Sequence, residues 1–191
     1  MSESLKQKTA KGLFWGAMNS GSTQILNLIF GIVLGRLLSP EIYSVVAILT
    51  IFVAIAGDLQ SSGFTQALVN IKRPTDRDYN SVFSFNVVMS VMMYFILFLC
   101  APLIADFYDR PYLTEVSRVL FLSFLIASIG IAHGGYMMKN MMNKEITIVN
   151  FMALISSNVV GLVLAFNGMA YWSLAWQQVI FILVLNIGRY Y

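Results

Sequence analysis

Charged residues are scarce in this chain. Aspartate, glutamate, lysine and arginine make up 11% of its 191 residues, against about 25% in ordinary soluble domains. Hydrophobic residues make up 58%, and the mean hydropathy is +0.75. One soluble core cannot cover that much apolar surface, whereas a bilayer accepts it on the outside of a protein. The composition therefore excludes an ordinary soluble domain and predicts a polytopic, all-α membrane protein.

Cysteine and histidine occur once each, at Cys100 and His133. A lone cysteine cannot form an intramolecular disulfide, and a lone histidine with no acid or cysteine at ligand spacing cannot hold a metal. The chain has no Walker A loop, no dinucleotide glycine pattern and no nucleophile elbow. We therefore expect no metal, no cofactor and no enzymatic activity.

Uncharged runs divide the chain into candidate spans, each needing about 20 residues to cross a bilayer. The second run is long enough only if it continues through Asp58, with Gly63 as its stop. The last run suffices for two spans, and Asn167-Gly168 supplies the turn between them. We predict one transmembrane domain over 1–191, with helices at 12–35, 42–62, 80–105, 117–138, 146–166 and 169–188.

The basic residues indicate an orientation. With the N-terminus in the cytoplasm, the outside segments hold only Arg36, Arg110 and Arg118 of the twelve lysines and arginines. The other nine lie inside, which is the positive-inside pattern of membrane proteins. The net charge of +3 therefore reflects orientation signals and does not indicate nucleic-acid binding. Six spans place both termini in the cytoplasm, so a further half could follow in a longer protein.

Helix 1 carries a polar face built from residues three and four apart. Its members are Gly16, Ser20, Thr23, Gln24, Asn27, Gly31 and Gly35. This face predicts either the wall of a hydrophilic cavity or a close helix–helix contact with interhelical hydrogen bonds. Similar runs of small residues on helices 4 and 5, among them Gly130, Gly134 and Gly161, favour helix packing.

Asp58 is the only acid within a predicted span. It lies roughly one turn inside the end of helix 2, on the same face as Thr50 and Ala54. A carboxylate at the centre of a bilayer costs about 2.5–3.5 kcal/mol on insertion scales, and less near an interface. Asp58 is therefore a gate contact or a coupling carboxylate, or else a helix-end residue that reaches the headgroups. His133 could likewise titrate near physiological pH or form a hydrogen bond within the bundle.

Basic residues flank the uncharged runs, and none lies inside one. A diphosphate-bearing substrate would then find its counter-charge at the cytoplasmic rim, or else in a part of the protein outside this sequence. The rim cations are Lys11, Lys72, Arg73, Lys139 and Lys144.

Four segments carry a resemblance to a known family. They are Gly-Arg-Leu-Leu-Ser-Pro-Glu at 35–41, Gly-Asp-Leu at 57–59 with 63–67, Ala-Pro-Leu-Ile-Ala at 101–105 with Phe107-Tyr108, and Asn167-Gly168 before Trp172 and Gln177-Gln178. In this order and spacing the chain resembles polysaccharide flippases of the Wzx/WzxC type, in the multidrug/oligosaccharidyl-lipid/polysaccharide exporter superfamily.

The resemblance implies alternating access between two six-helix lobes, which carry lipid-linked oligosaccharide across the bacterial inner membrane. This chain would be the N-terminal lobe only, with a second lobe or copy and membrane lipids as partners. Ser20, Thr23, Gln24, Asn27 and Asp58 would face the substrate. A drug/cation antiporter of the same superfamily, with Asp58 as the coupling acid, and a non-transporting scaffold or fragment are the alternatives.

Overall fold

The computed structural model describes residues 5–61, 67–68, 70–71 and 74–190. The described chain contains six long α-helices and no strand. In chain order they are α1 (Leu5–Leu37), α2 (Pro40–Ser61), α3 (Asp76–Phe107), α4 (Leu113–Lys139), α5 (Asn143–Phe166) and α6 (Ala170–Tyr190). Each is long and apolar enough to cross a membrane, so the predicted all-α membrane fold is confirmed.

Most helices extend beyond the predicted bounds, because those bounds were drawn where charged residues begin. Charged residues can occupy helical ends that reach past the hydrocarbon layer. α3 begins at Asp76 and not at 80, since Thr75 and Asp78 form a capping box. In it, the Thr75 backbone N–H donates to the Asp78 carboxylate at 2.8 Å. α2 begins two residues early because Pro40 suits the first helical position.

The first connection is short, and the last depends on a glycine. α1 ends at Leu37, just before Ser39 and Pro40, because a residue preceding proline is disfavoured in helical conformation. α5 and α6 are joined through Gly168, whose φ of +76° is a conformation that glycine adopts without strain.

α4 is the central helix of the bundle. It packs along α3 on one side and along α6 on the other, and α6 packs in turn along α5. Half of the residues in the most apolar 18-residue stretch of α4 are buried, compared with 6% in that of α1. α1 packs chiefly against α5, and α2 touches α3, α4 and α6. α1 is therefore the outermost helix of this six-helix bundle, which we call the lobe.

The hydrophobic core lies toward the end of the bundle that holds the α3–α4 and α5–α6 loops. Its most deeply buried side chains are Leu49 of α2 and Leu113 and Phe121 of α4, each at 0% exposure. Ala105 at the end of α3 and Ala175 at the start of α6 belong to the same cluster. The helices are thus tightly packed at this end, which the predicted topology places outside.

Candidate functional site

The helices position the predicted substrate-facing residues of α1 away from the lobe. Successive residues of an α-helix are turned by about 100°, which divides α1 into three faces. One packs on α5, one is an exposed apolar face, and the third is the predicted polar face. Ser20, Gln24 and Asn27 on that third face are exposed, and Thr23 at its border is half-buried.

The seam between α1 and α5 lies on a different face and has polar contacts of its own. The Thr147 hydroxyl is 3.1 Å from the carbonyl oxygen of Trp15. The Asn150 side chain donates to the Asn19 side-chain oxygen at 3.1 Å. A Cβ placed on Gly12 would come within 2.9 Å of Asn143 Nδ2. These contacts hold α1 on the lobe without using the polar face.

The glycines of the polar face are not used for helix packing within the described lobe. A Cβ added at Gly16, Gly31 or Gly35 would meet nothing within 4 Å. The apolar face of α1 points elsewhere and exposes Ile25, Leu28 and Ile32. The two exposed faces of α1 therefore differ in chemistry, and only the apolar one suits lipid.

α2 repeats this arrangement. Its buried residues Val45, Leu49 and Ala56 share one face. Ala47, Thr50, Ala54 and Asp58 lie on the opposite face and are exposed. Asp58 lies three residues before the end of α2 at Ser61, about the depth that the sequence predicts. The small and polar residues of α2 thus point out of the lobe, as those of α1 do.

The rim cations that the structure describes lie at the end of the bundle with the α4–α5 loop. Lys139 closes α4, and its ammonium contacts the carbonyl oxygen of Ile71. Lys11 is exposed on the first turns of α1, one residue before the contact of Gly12 with α5. Lys72 and Arg73 fall outside the described residues. Lys139 therefore lies beside Ile71, the residue that precedes Lys72 in sequence.

Aromatic and basic side chains contact one another at the opposite end of the bundle, which holds the α3–α4 and α5–α6 loops. The Tyr112 and Tyr171 rings stack at 4.4 Å, and Arg110 donates to the Tyr112 hydroxyl at 2.9 Å. This hydrogen bond raises the pKa of Arg110 above its ordinary value. Arg118 lies five residues inside α4, with its guanidinium carbon 4.1 Å from the centre of the Phe98 ring. α4 therefore carries a basic residue in its second turn.

A cavity at the end of the bundle with the α4–α5 loop involves none of the predicted substrate-facing residues. It has a volume of about 1000 Å³ and is lined by the first turns of α3 and α5 and the last turns of α4 and α6. Arg189 lies on its wall and donates from Nη1 to the carbonyl oxygen of Gly130 at 3.3 Å. His133 is also on its wall, exposed, with its ring 4.0 Å from that of Tyr190.

Sequence reasoning missed the role of Arg189, which it placed just beyond helix 6. Gly130 and Gly134 of α4 are the sequence feature that could have indicated this role. A Cβ on Gly134 would come within 3.3 Å of the Arg189 guanidinium, and a Cβ on Gly130 would overlap the Asn186 side chain. These glycines admit polar side chains from α6. Among the described residues, no group of three or more histidines, cysteines or acids could hold a metal.

Comparison with known proteins identifies a family. The profile of the family described as "Polysaccharide biosynthesis protein" matches residues 33–191. The chain is 24% identical over 188 residues to the lipopolysaccharide biosynthesis protein WzxC of Escherichia coli (strain K12), covering 97% of this chain and 37% of that protein. It is 25% identical over 191 residues to the succinoglycan biosynthesis transport protein ExoT of Rhizobium meliloti (strain 1021), covering 100% and 39%.

A third relative is the teichuronic acid biosynthesis protein TuaB of Bacillus subtilis (strain 168). It is 26% identical over 130 residues, which are 66% of this chain and 26% of that protein. The chain thus spans about a quarter to two-fifths of the length of these relatives. No solved structure matches significantly. The resemblance to Wzx-type proteins is confirmed, and so is the multi-pass location in the bacterial cytoplasmic membrane.

Proposed function

Because the chain belongs to the polysaccharide biosynthesis protein family, we propose that it is one lobe of a transporter, and not an enzyme, that moves lipid-linked oligosaccharide across the membrane. Its relatives are named for lipopolysaccharide, succinoglycan and teichuronic acid biosynthesis. Those names support a glycan substrate over a drug or a cation. The lobe would work with a second lobe, supplied by a longer chain or by a second copy.

The polar face of α1 carries this proposal. Gln24 and Asn27 are exposed on a spanning helix, and an amide transferred into an apolar medium without a partner costs about 1–3 kcal/mol from protein data. The lobe already uses Asn19 to bind α5, so these two amides are not needed for that contact. A water-filled path between two lobes would satisfy them and would let them bind sugar hydroxyls.

The acid and the rim cations extend the same path. Asp58 lies on the exposed face of α2, where a carboxylate can bind sugar hydroxyls or water. We propose that Lys11, Lys72, Arg73 and Lys139 attract the diphosphate of the substrate at the cytoplasmic entrance. The amides then bind the glycan, and the cations guide its charged linker.

Thiol accessibility tests whether this face meets water. In a Cys100→Ala background, cysteines at Gln24 and Asn27 should react with a small polar thiol reagent, and cysteines at Ile25 and Leu28 on the apolar face should stay protected. In cells whose surface glycan depends on this protein, Asn27→Leu should lower export about fivefold, which corresponds to one contact of about 1 kcal/mol. Leu28→Ile is the matched control and should export normally.

Two results would refute the proposal. If cysteines on both faces are equally protected, the polar face is a dry helix contact. If Asn27→Leu exports glycan at the wild-type rate, with equal amounts of protein in the membrane, the α1 amides do not line the path.

A further inference from the structure

The cavity between α3, α4, α5 and α6 has a graded lining. α3 and α5 both begin at this end of the bundle, so higher residue numbers on them lie deeper. Asp76 and Glu145 line its mouth, and Phe83 and Met152 line its depth. Each apolar residue lies seven positions after the acid on its own helix, which is about 10 Å deeper at 1.5 Å per residue.

The Arg189 guanidinium lies at the deeper of these two levels. A Cβ placed on Gly188 would come within 2.6 Å of the side chain of Val149, which lies one helical turn deeper than Glu145. The Arg189 side chain then reaches farther inward, to the carbonyl oxygen of Gly130. Gly130 lies nine residues before the end of α4 at Lys139. An arginine near the end of a membrane helix usually extends outward to the headgroups, whereas this one is directed into the lobe.

Among the described residues, the three charges of Asp76, Glu145 and Arg189 have no counter-ion. Arg189 uses Nη1 for Gly130, and a guanidinium has five N–H donors. The cavity thus presents carboxylates at its mouth, and a guanidinium beside an apolar wall at its depth.

We propose that this cavity binds an aminophospholipid with a zwitterionic headgroup, of the phosphatidylethanolamine class. Its primary ammonium binds Asp76 and Glu145, its phosphate binds Arg189, and an acyl chain lies along Phe83, Ile148 and Met152. In the lipid the ammonium lies outward of the phosphate and the chains, as the carboxylates lie outward of the guanidinium and the apolar residues in the cavity. This lipid is a resident of the lobe, bound away from the α1 and α2 faces.

The charges select against other common headgroups. A net anionic headgroup such as phosphatidylglycerol has no ammonium for the carboxylates and is repelled by them. A choline headgroup carries a cation without N–H donors, so it cannot form charge-assisted hydrogen bonds to the two acids. A primary ammonium is both a cation and an N–H donor, so the two carboxylates should prefer phosphatidylethanolamine.

Native mass spectrometry of the detergent-purified chain tests this directly. Phosphatidylethanolamine, phosphatidylglycerol and phosphatidylcholine with matched acyl chains are added in turn. The wild-type chain should retain phosphatidylethanolamine most strongly. Arg189→Gln should weaken its retention about tenfold, or about 1.4 kcal/mol, because it removes a charge-assisted hydrogen bond to the phosphate. The double variant Asp76→Asn/Glu145→Gln should lose the preference for the primary amine over phosphatidylglycerol.

Arg110→Gln is the matched control, since it removes one cation at the opposite end of the bundle and should leave retention unchanged. Equal retention of all three lipids by the wild-type chain would overturn the proposal, and so would equal losses in Arg189→Gln and Arg110→Gln. If Arg189→Gln fails to fold, a photoactivatable phosphatidylethanolamine on the wild-type chain decides. Labelling of the first turns of α3 and α5 supports the site, and labelling confined to other helices refutes it.

Discussion

Gln177 of α6 donates a hydrogen bond from Nε2 to the side-chain oxygen of Asn158 in α5, at 2.8 Å. Asn158 is 2% exposed, and its own amide donates to the carbonyl oxygen of Leu154 at 2.7 Å. Gly161 makes room for the Gln177 side chain, whose oxygen would lie 3.2 Å from a Cβ at that position. This amide pair joins two of the most extensively packed helices of the lobe.

Asn158→Leu should lower the free energy of unfolding by about 1 kcal/mol, within the range measured for interhelical hydrogen bonds in membranes. The substitution removes the acceptor and leaves the Gln177 amide unsatisfied between the helices. Unfolding in mixed micelles gives the measurement. The double variant Asn158→Leu/Gln177→Leu should lose less than the sum of the single losses, because no orphaned amide remains. Additive losses would show that the two amides are not coupled.

The glycines of α4 give a second prediction, because their missing side chains admit polar groups of α6. Gly130→Ala should reduce stability by about 1–3 kcal/mol, the usual range for overpacking, since its methyl group would overlap Asn186. Gly21→Ala on α1 is the control. A Cβ there meets nothing within 4 Å, so stability should hold or rise by up to about 1 kcal/mol from helix propensity. Equal effects of the two substitutions would contradict the contact.

Topology is a third prediction, motivated by the positive-inside distribution of basic residues. Reporter fusions after Lys72 and Lys139 should read cytoplasmic, and fusions after Glu41 and Asp109 should read external. Since the six helices alternate in direction, a single reversed site would point to local disturbance by the reporter. Reversal at two or more sites would refute the predicted orientation.

Asp58 gives the fourth prediction. If its carboxylate binds substrate or water during transport, Asp58→Asn in the complete protein should lower glycan export about tenfold. That figure corresponds to about 1.4 kcal/mol, near the lower end of the range for hydrogen bonds to charged groups. Membrane abundance should stay near normal, because Asp58 is exposed at the end of α2 and the amide keeps its size. Export per molecule and immunoblot abundance give the two measurements.

Asp106→Asn is the matched control for Asp58, because Asp106 is an exposed acid near the opposite end of the bundle. It should export normally. Wild-type export by Asp58→Asn at equal abundance would leave Asp58 as a helix-end residue. A fall in abundance that is partly restored by Lys139→Gln would instead show a structural pair with that rim cation.

The helices were predictable from sequence because membrane spans require long apolar runs, and these runs are locally encoded. The ends were less predictable. α3 starts at a capping box that includes charged Asp78, and α4 begins before Glu115 and Arg118. Helices whose predicted ends are placed at the first charged residue are therefore too short. The helix continues into the region where water or lipid headgroups can solvate charged side chains.

The sites were predictable only in part. The polar faces of α1 and α2 followed from residue spacing, since a face is a local property of a helix. The cavity near Arg189 did not, because it depends on how α6 ends beside Gly130 and Gly134 of α4, some 60 residues earlier. Spacing identified those glycines as packing positions, but it could not show that a guanidinium and an amide fill the space.

The seam between α1 and α5 has a consequence for biosynthesis. Thr147 and Asn150 lie 132 and 131 residues after their partners Trp15 and Asn19. At about 5–20 residues per second, the ribosome needs roughly 7 to 26 s to make that interval. α1 is therefore made well before its partner α5. Its docking on α5 requires four later helices to be translated first, although α1 precedes them in the chain.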